Sequence, residues 1–540
     1  MAEFKNKTDS NDELFKRFKD AQNRMLLQRN RLEDAYDLTL PNRANFRQNV
    51  PGEQRNVEIF DTTAAEGLKQ YANDVQSILM PPFQRWAKLV PGTEVPEAQE
   101  DAVREELEKV TEILFHYLDQ SNFYQVSAEA LEDMGISTGI MVLEEGPIDN
   151  PFIFRSVAIS ESAFSEGRGG KIQNFWRLFK TTLRQAMLMW PDLNLTSNLR
   201  ARLQSDPDGK VELIEGSVLV PGKTQADDEF QYYIQAMDED NPLLLNEKRD
   251  RNAWIGFRAG KTTGEIIGYG PILRVLPSIR ALNGMAEYDL RSFKFAAIGA
   301  YMVDNSGVLN PFNVTIEPGA LIPIEPSLSG KDPIRPIQTG GAPELTLEKI
   351  QAMQGVIRQA LVSQPLPPQV KAGVSATEVS IRQQFWVRQN SASFGRISVE
   401  LIEPTLANSI AILIKKGLIP PLVIDKTRVA IKYESPLIAI QDQEDVAKVQ
   451  QNIELVQSTY GEQGVAVAFD QGELNSYISQ KLGVPAKLVN SAAKIKQILT
   501  GIQQQQQQAA AAQAQAALPA GQVGQPQLPL ATQAQQAPGP

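Results

Sequence analysis

The stretch GYGPILRVLPSIRALNGMAEYDLRSFKFAAIGA, residues 268–300, sets Leu273, Leu276, Ile279, Leu282 and Met285 three apart, then adds Leu290, Phe293 and Ala297. That spacing is one face of a helix over 271–300. A Pro- and Gly-rich stretch follows, 301–343, with short β-like pieces such as NVTI and ALIPI. The helical pattern then returns over 345–363 with Leu347, Ile350, Met353, Ile357 and Leu361, and Pro365, Pro367 and Pro368 stop it. The simplest reading is a small β-rich module inserted between two helices.

Downstream lies the loop PLPPQVKAGVS, in which Ser375 and Glu378 have the spacing of a capping box, each side chain satisfying a free N–H of the first helical turn. The helical pattern after it runs to Lys416 and ends at Gly417. At 1.5 Å per residue it would be roughly 60 Å long, too long for one compact domain unless bent. Gly395 and Pro404 supply places to bend. Its middle, RQNSAS at 388–393, is polar all round, which suits a helix packed between subunits. A strand, VAIKYESPLIAI at 429–440, leads into helical stretches up to Ile502. The tail, 503–540, is rich in Gln and Ala, uncharged and interrupted by proline, so it has no apolar face with which to dock.

Upstream, amphipathic helices read over 12–40, 64–79 and 100–119, the second stopped by Pro81 and Pro82. From 140 to 260 the pattern changes to short β-branched and aromatic runs, GIMVLEEG, FIFRSVAI, VELIEGSVLV and FQYYIQAM, broken by a helical stretch around 179–190. These are antiparallel strands. The expected class is therefore α+β, mainly helical.

Composition removes whole classes of chemistry. The 540 residues include no Cys and one His, so thiolate zinc sites, iron–sulfur clusters, disulfides and Cys nucleophiles are excluded. The N-terminus, MAEFKNKTDSND, has no secretory pattern, and no uncharged apolar run approaches the about 20 residues of a membrane-spanning helix. The expectation is a soluble intracellular product that engages no membrane. A net charge of −11 argues against ordinary nucleic-acid binding, which needs a cationic surface.

The nearest approach to a nucleotide signature is GFRAGKTT at 256–263, but Gly256 and Gly260 enclose one residue too few for a phosphate loop. A turn in a hairpin is the better reading. GYGPIL at 268–273 has Leu273 where a dinucleotide fingerprint needs a third Gly. Ser491 and Lys494 match S-x-x-K without companion motifs, and His116 reads as a packed or half-exposed histidine. The acidic clusters at 227–229 and 238–240 read as solvated loop charges. No active site, cofactor site or metal site emerges, which points to a structural component and not an enzyme.

Seven stretches, in this order, resemble the portal, or head-to-tail connector, proteins of short-tailed bacteriophages of the podovirus type. They are RLEDAYDLTLP at 31–41, LKQYANDVQSILMPPFQRWAKL at 68–89, SNFYQVSAEALEDMGISTGIMVLEEG at 121–146, FWRLFKTTLRQAMLMWP at 175–191, GYGPILRVLPSIRALN at 268–283, SATEVSIRQQ at 375–384 and YESPLIAIQ at 433–441. Ala87, after Trp86, departs from the aromatic common there in the family.

The resemblance implies a ring of about twelve subunits around a DNA channel at one capsid vertex. By matched elements the wing covers 1–265, the first stem helix 266–300, the clip 301–343, the second stem helix 344–363 and the tunnel loop 364–375. The long kinked wing helix and its strand take 376–435, the crown 436–502, and the tail 503–540 either extends a barrel or is disordered. Implied partners are further copies of the chain, double-stranded DNA passing without sequence specificity, the terminase large subunit, tail adaptor and tail tube proteins, major capsid and scaffolding proteins, and internal core proteins at the crown. The implied location is the virion, after assembly in the host cytoplasm. Lys371, in the tunnel loop, is a candidate ring of positive charge on the DNA, or a solvated loop lysine. Lys331 and Arg335, in the clip, either contact terminase and adaptor or are rim charges that keep an exposed module soluble. Two alternatives stay open: another ring-forming tail or adaptor protein of the virion, and a nucleotide-dependent enzyme built around the GKT turn.

Overall fold

The computed structural model describes residues 9–43, 58–91, 97–222, 227–238, 240–298, 301–303, 334–336, 343–361, 392–420, 429–433 and 436–482, with isolated positions outside these ranges. The chain forms two compact units, residues 1–438 and 439–540.

The first unit begins with α1 (Asn11–Leu27) and α2 (Arg29–Thr39). The Ser10 and Glu13 side chains cap α1 reciprocally, and Leu14, Phe18, Ala21 and Met25 form its buried stripe. The continuous helix expected over 12–40 is thus two helices, interrupted at Gln28, where Leu27 is left exposed. Next come α3 (Thr63–Leu79), β1 (Ala87–Pro91), α4 (Glu97–Gln120) and α5 (Phe123–Ile136). Trp86, fully buried, meets the Phe115 ring edge-on at 5.2 Å and stacks on Phe123 at 6.1 Å, which fixes α4 and α5 to the chain leaving α3.

The strands that follow are β2 (Thr138–Glu145), β3 (Phe152–Ser156), β4 (Ser162–Glu166) and β5 (Ile172–Thr182). After the short helices α6 (Leu183–Met189) and α7 (Ser197–Ser205) come β6 (Lys210–Val220), β7 (Glu229–Ala236), β8 (Leu243–Arg249) and β9 (Trp254–Arg258). They make two antiparallel sheets, β3-β2-β9 and the meander β4-β5-β6-β7-β8. The helical stretch expected near 179–190 starts only at Leu183, because 172–182 is strand. A row across the larger sheet pairs Trp176 with Gly216 and Gly216 with Tyr233. The Trp176 indole N–H donates to the Tyr233 hydroxyl at 2.8 Å. A Cβ at Gly216 would lie 2.5 Å from the Tyr233 ring, so only glycine lets these two side chains meet over the strand.

α8 (Pro271–Ile298) and α9 (Pro343–Ala360) pack side by side, with the short pair β10 (Tyr301–Val303) and β11 (Ile334–Pro336) between them in sequence. Pro277 lies inside α8 and cannot donate to the carbonyl of Leu273, which instead lies 3.5 Å from the Tyr269 hydroxyl. α10 (Ala392–Lys415) then packs on β9, β2 and α4, and β12 (Val429–Tyr433) pairs antiparallel with β1. By length and composition α10 could cross a membrane, the one such helix among the described residues. Its apolar side chains Leu401, Ile402, Leu406, Ile410 and Leu413 are instead buried in the protein core. The helix stops at Gly417, whose φ of 70° lets the Leu418 N–H turn back to the Leu413 carbonyl.

The strand expected over 429–440 ends at Tyr433, and α11 (Pro436–Ala468) takes up the rest. Pro436 occupies the first helical position, where a missing N–H costs nothing. Most of α11, with α12 (Gln471–Lys481), forms the described part of the second unit, where Lys481 pairs with Asp445 at 3.4 Å. Within the larger sheet, Gly216→Ala should separate Trp176 from Tyr233 and cost about 1–3 kcal/mol by overpacking, read as a lower Tm in near-UV circular dichroism; an unchanged Tm would contradict the close approach.

Candidate functional site

Four separate stretches of the described chain converge on the buried charge of Arg258. WIGFR is an apolar strand with a cation at its end, so Arg258 is carried into the interior by its neighbours and is 0 % exposed. Its Nε donates to Glu400 Oε2 at 3.2 Å and its Nη2 to Glu400 Oε1 at 2.7 Å. Nη1 donates to Glu166 Oε1 and to the Ile266 carbonyl, both at 2.9 Å, and Nη2 also to the Gly170 carbonyl at 2.9 Å. Every N–H of the guanidinium is thereby used. The backbone N–H of Arg258 donates to Glu400 as well, at 3.0 Å.

Glu400 lies on a turn of α10 that is wider than α-helical. Residues Ser398–Ile402 form a π turn, in which the Glu403 N–H donates to the Ser398 carbonyl five residues back. Pro404 explains the widening: it has no N–H for the Glu400 carbonyl, and its ring would press on that carbonyl in a regular helix. Beyond this turn the helix is tied down. Arg251 donates to the Ala407 carbonyl, Asn408 to the Asn252 carbonyl, and Lys415 pairs with Glu145.

Lys261, the lysine of the GKT turn, pairs with Glu166. Gly260 accepts from the Tyr269 N–H and Lys261 bridges to Gly268, so the segment is the arm of a hairpin whose amine is committed to a carboxylate. Partial burial pushes the Glu166 carboxyl up, but hydrogen bonds and charge from Lys261 and Arg258 outweigh it and hold the group below its ordinary value.

A second feature is the uneven covering of α8. Ile272, Leu273, Leu276, Ile279 and Leu282 are buried, whereas Tyr288, Leu290 and Phe293 are exposed. On α9 Ile357 is buried, as is Leu361 just after it, while Leu347 and Val356 are exposed. The covered halves are oriented by one loop: Asn283 of α8 accepts from the Phe60 N–H at 2.7 Å and donates to the Glu58 carbonyl, and Gln354 of α9 donates to Asp61 at 2.7 Å.

Residues 11–489 match the family described as bacteriophage head to tail connecting protein. The chain belongs to that family. Among solved structures this connector chain is similar to one in the virion of a native gene transfer agent particle, with 11% identity, 81% of this chain and 96% of that chain covered, and a TM-score of 0.36. It is also similar to one in the neck of an empty gene transfer agent particle computed with C6 symmetry, with 12% identity, the same coverages and a TM-score of 0.34. No curated protein matches it.

In this connector chain, Lys331, Lys371, Ser375, Glu378, Ser491 and Lys494 lie outside the described residues. Arg335 sits on β11, opposite Met302. Gly395 lies in the α-helical turns before the π turn, and Pro404 is the second residue after it. His116 is exposed, 3.1 Å from the Gln120 amide. Asp227 and Asp228 accept hydrogen bonds from Thr224 and Gly222, which close their loop. Among the described residues no three His, Asp or Glu side chains group as metal ligands. The reading by residue type missed Arg258, Glu166 and Glu400. The signal was there in two of them, a charge inside WIGFR and another inside ISVELIEP.

Because the folded Glu166 has a lowered pKa, its ion pairs stabilise the protein above the ordinary carboxyl value of 4.5 and fade as pH falls through the folded value. Glu166→Gln should lower Tm at pH 7 and bring variant and wild type together in acid. A gap between the two melting curves that stays constant from pH 7 to pH 3 would contradict this.

Proposed function

We propose that this connector-family chain is the subunit of a portal ring of the short-tailed phage type, with about twelve copies enclosing a channel. Genomic DNA enters through that channel during packaging and leaves through it on ejection. The observation that carries the reading is the pair α8 and α9, adjacent in space and separated in sequence by residues 299–342, inside a family match that spans 11–489. In this reading the wing is 1–265, the first stem helix 266–300, the clip 301–343, the second stem helix 344–363 and the tunnel loop 364–375. The wing helix and strand take 376–435, the crown 436–502 and the tail 503–540.

The exposed Tyr288, Leu290 and Phe293 face a neighbouring copy. Aromatic side chains on a helix surface are costly in water and enriched where subunits meet. The clip, with Lys331 and Arg335, meets the terminase large subunit and afterwards the tail adaptor and tail tube. The wing meets capsid and scaffolding proteins, and the crown the internal core proteins. The ring forms in the host cytoplasm and remains in the virion.

Charge supports a conduit over a binder. A cationic bore would hold the duplex by counterion release and resist sliding, whereas subunits of net charge −11 keep DNA hydrated and mobile. Lys371 is the candidate exception, a ring of positive charge that touches passing phosphates.

Mass measurement with electron-microscopy class averages should give a ring of about twelve copies with a central hole; a monomer that hydrolyses ATP would overturn the assignment. Phe293→Asp should move the mass distribution toward single subunits while the monomer keeps its circular dichroism, and intact rings would count against the stem interface. Lys371→Glu should change DNA packaging or retention and leave ring mass unchanged; wild-type packaging would remove Lys371 from the mechanism.

A further inference from the structure

Two guanidiniums near the start of α8 stand without a carboxylate, in a chain with 53 Lys and Arg against 64 Asp and Glu. Arg31 of α2 and Arg274 of α8 both lie on the Tyr269 ring, with Cζ 4.8 Å and 5.9 Å from its centroid. The two charges are therefore within about one Debye length, roughly 10 Å, of each other. Both residues are exposed. The carboxylates around them are committed elsewhere: Asp34 to Arg280, Glu33 to Arg29 at 3.8 Å, and Glu265 to the Gln28 amide at 3.2 Å. Neither Arg31 nor Arg274 has an ion pair among the described residues. The tyrosine face orients the two cations without neutralising them. The Gln28–Glu265 contact also brings the hairpin arm against the break between α1 and α2, where Leu26 is 51% and Leu27 84% exposed. Along α8, Arg274, Ala281 and Tyr288 stand seven apart, near one face of the helix, and all three are exposed.

We infer that Leu26, Leu27, Arg31 and Arg274 form a contact surface for a second copy of the chain: carboxylates of that copy sit on the two guanidiniums, and an apolar side chain of it covers the leucines. Three observations choose this occupant. An acidic chain supplies carboxylates at high density, so a cationic patch complements the rest of its own kind. Duplex DNA would satisfy the arginines, but its phosphate backbone offers nothing apolar to two exposed leucines. The row from Arg274 to Tyr288 makes the patch continuous with the part of α8 assigned above to a subunit contact. In this last respect the inference rests on the ring reading. A ring contact joins two different faces, so the carboxylates belong to a face of the neighbour other than its own arginine patch.

The chain has no Cys, so Leu27→Cys gives one thiol per subunit for a benzophenone maleimide. On irradiation of the assembled protein this label should join copy to copy, giving bands at multiples of the single-chain mass. Phe293→Cys, labelled in the same way, reports the contact along α8. Crosslinks at 293 with none at 27 would overturn this surface and leave the ring reading standing, whereas none at either position would overturn both. Crosslinking at 27 to DNA or to a different virion protein, and not to a second copy, would remove the chosen occupant. Arg31→Glu combined with Arg274→Glu should raise the protein concentration for half-assembly about tenfold in about 0.1 M salt. The difference should shrink in about 1 M salt, where screening acts within roughly 3 Å. The Tm of the monomer should stay unchanged, because both residues are exposed. A midpoint that does not move, or that moves equally at both salt concentrations, would count against the carboxylate contact. If the reversal lowers the monomer Tm, Arg31→Gln with Arg274→Gln is measured against the same two salt conditions and decides by the same criteria.

Discussion

A guanidinium out of reach of water must have every donor engaged, and Arg258 meets that condition only because segments from 166 to 400 in the chain arrive together. Burying an ion pair is costly, and removing one partner of such a pair costs about 3–5 kcal/mol because the other is left uncompensated. The cluster therefore acts as an all-or-none condition on assembly of the first unit. β4, the loop after it, β9, the 260–268 hairpin and α10 must each take their places before the charge is satisfied. A hydrophobic substitute could hold the same volume, but it would not specify which carbonyls and which carboxylates line it.

The same device recurs twice. Asp133, buried on α5, accepts from the Tyr36 hydroxyl at 2.9 Å and pairs with Arg43, which also donates to Ser156. Burial pushes the Asp133 carboxyl up, and the charge of Arg43 and hydrogen bonds from Arg43 and Tyr36 oppose that shift. Glu215, buried at the centre of the larger sheet, takes Arg155 from the smaller sheet at 3.0 Å and the Tyr232 hydroxyl at 3.1 Å. The Trp190 indole N–H completes that chain on Tyr232 at 2.9 Å. Each cluster joins elements that are distant in sequence, so the apolar core provides cohesion while buried charge decides which element lies against which.

How much of this was legible in the sequence depends on range. The stem helices were readable because apolar spacing and proline stops are local: α8 and α9 begin and end within a few residues of the expected 271–300 and 345–363. The strands of 140–260 were readable from alternation for the same reason. The break at Gln28 was not, since apolar residues run on through Leu26 and Leu27, which nonetheless lie exposed at the break. α7 was missed because its pattern is nearly all polar, with Leu199 its one buried side chain. The strand ends at Tyr433 and not at 440 because Pro436 starts a helix, although Ile438 and Ile440 favour a strand. The ion clusters were the least legible, because a charged residue in an apolar strand announces burial without naming its partner.

The division of α8 into a covered and an uncovered half bears on the proposed ring. Through Leu282 the helix is core, oriented by Asn283; beyond it Tyr288, Leu290 and Phe293 are exposed among the described residues. A helix with no external role would show polar residues on that half, as the outer face of α4 does with Glu105, Glu108 and Glu112. Large apolar side chains left in water lower solubility and raise the free energy of the lone subunit, so their presence is intelligible where another chain covers them. The buried half then fixes the angle at which the exposed half leaves the body. Closing the proposed ring would require each subunit to repeat the same angle, and the polar clamp of Asn283 and Gln354 on the 58–61 loop fixes that angle within the subunit.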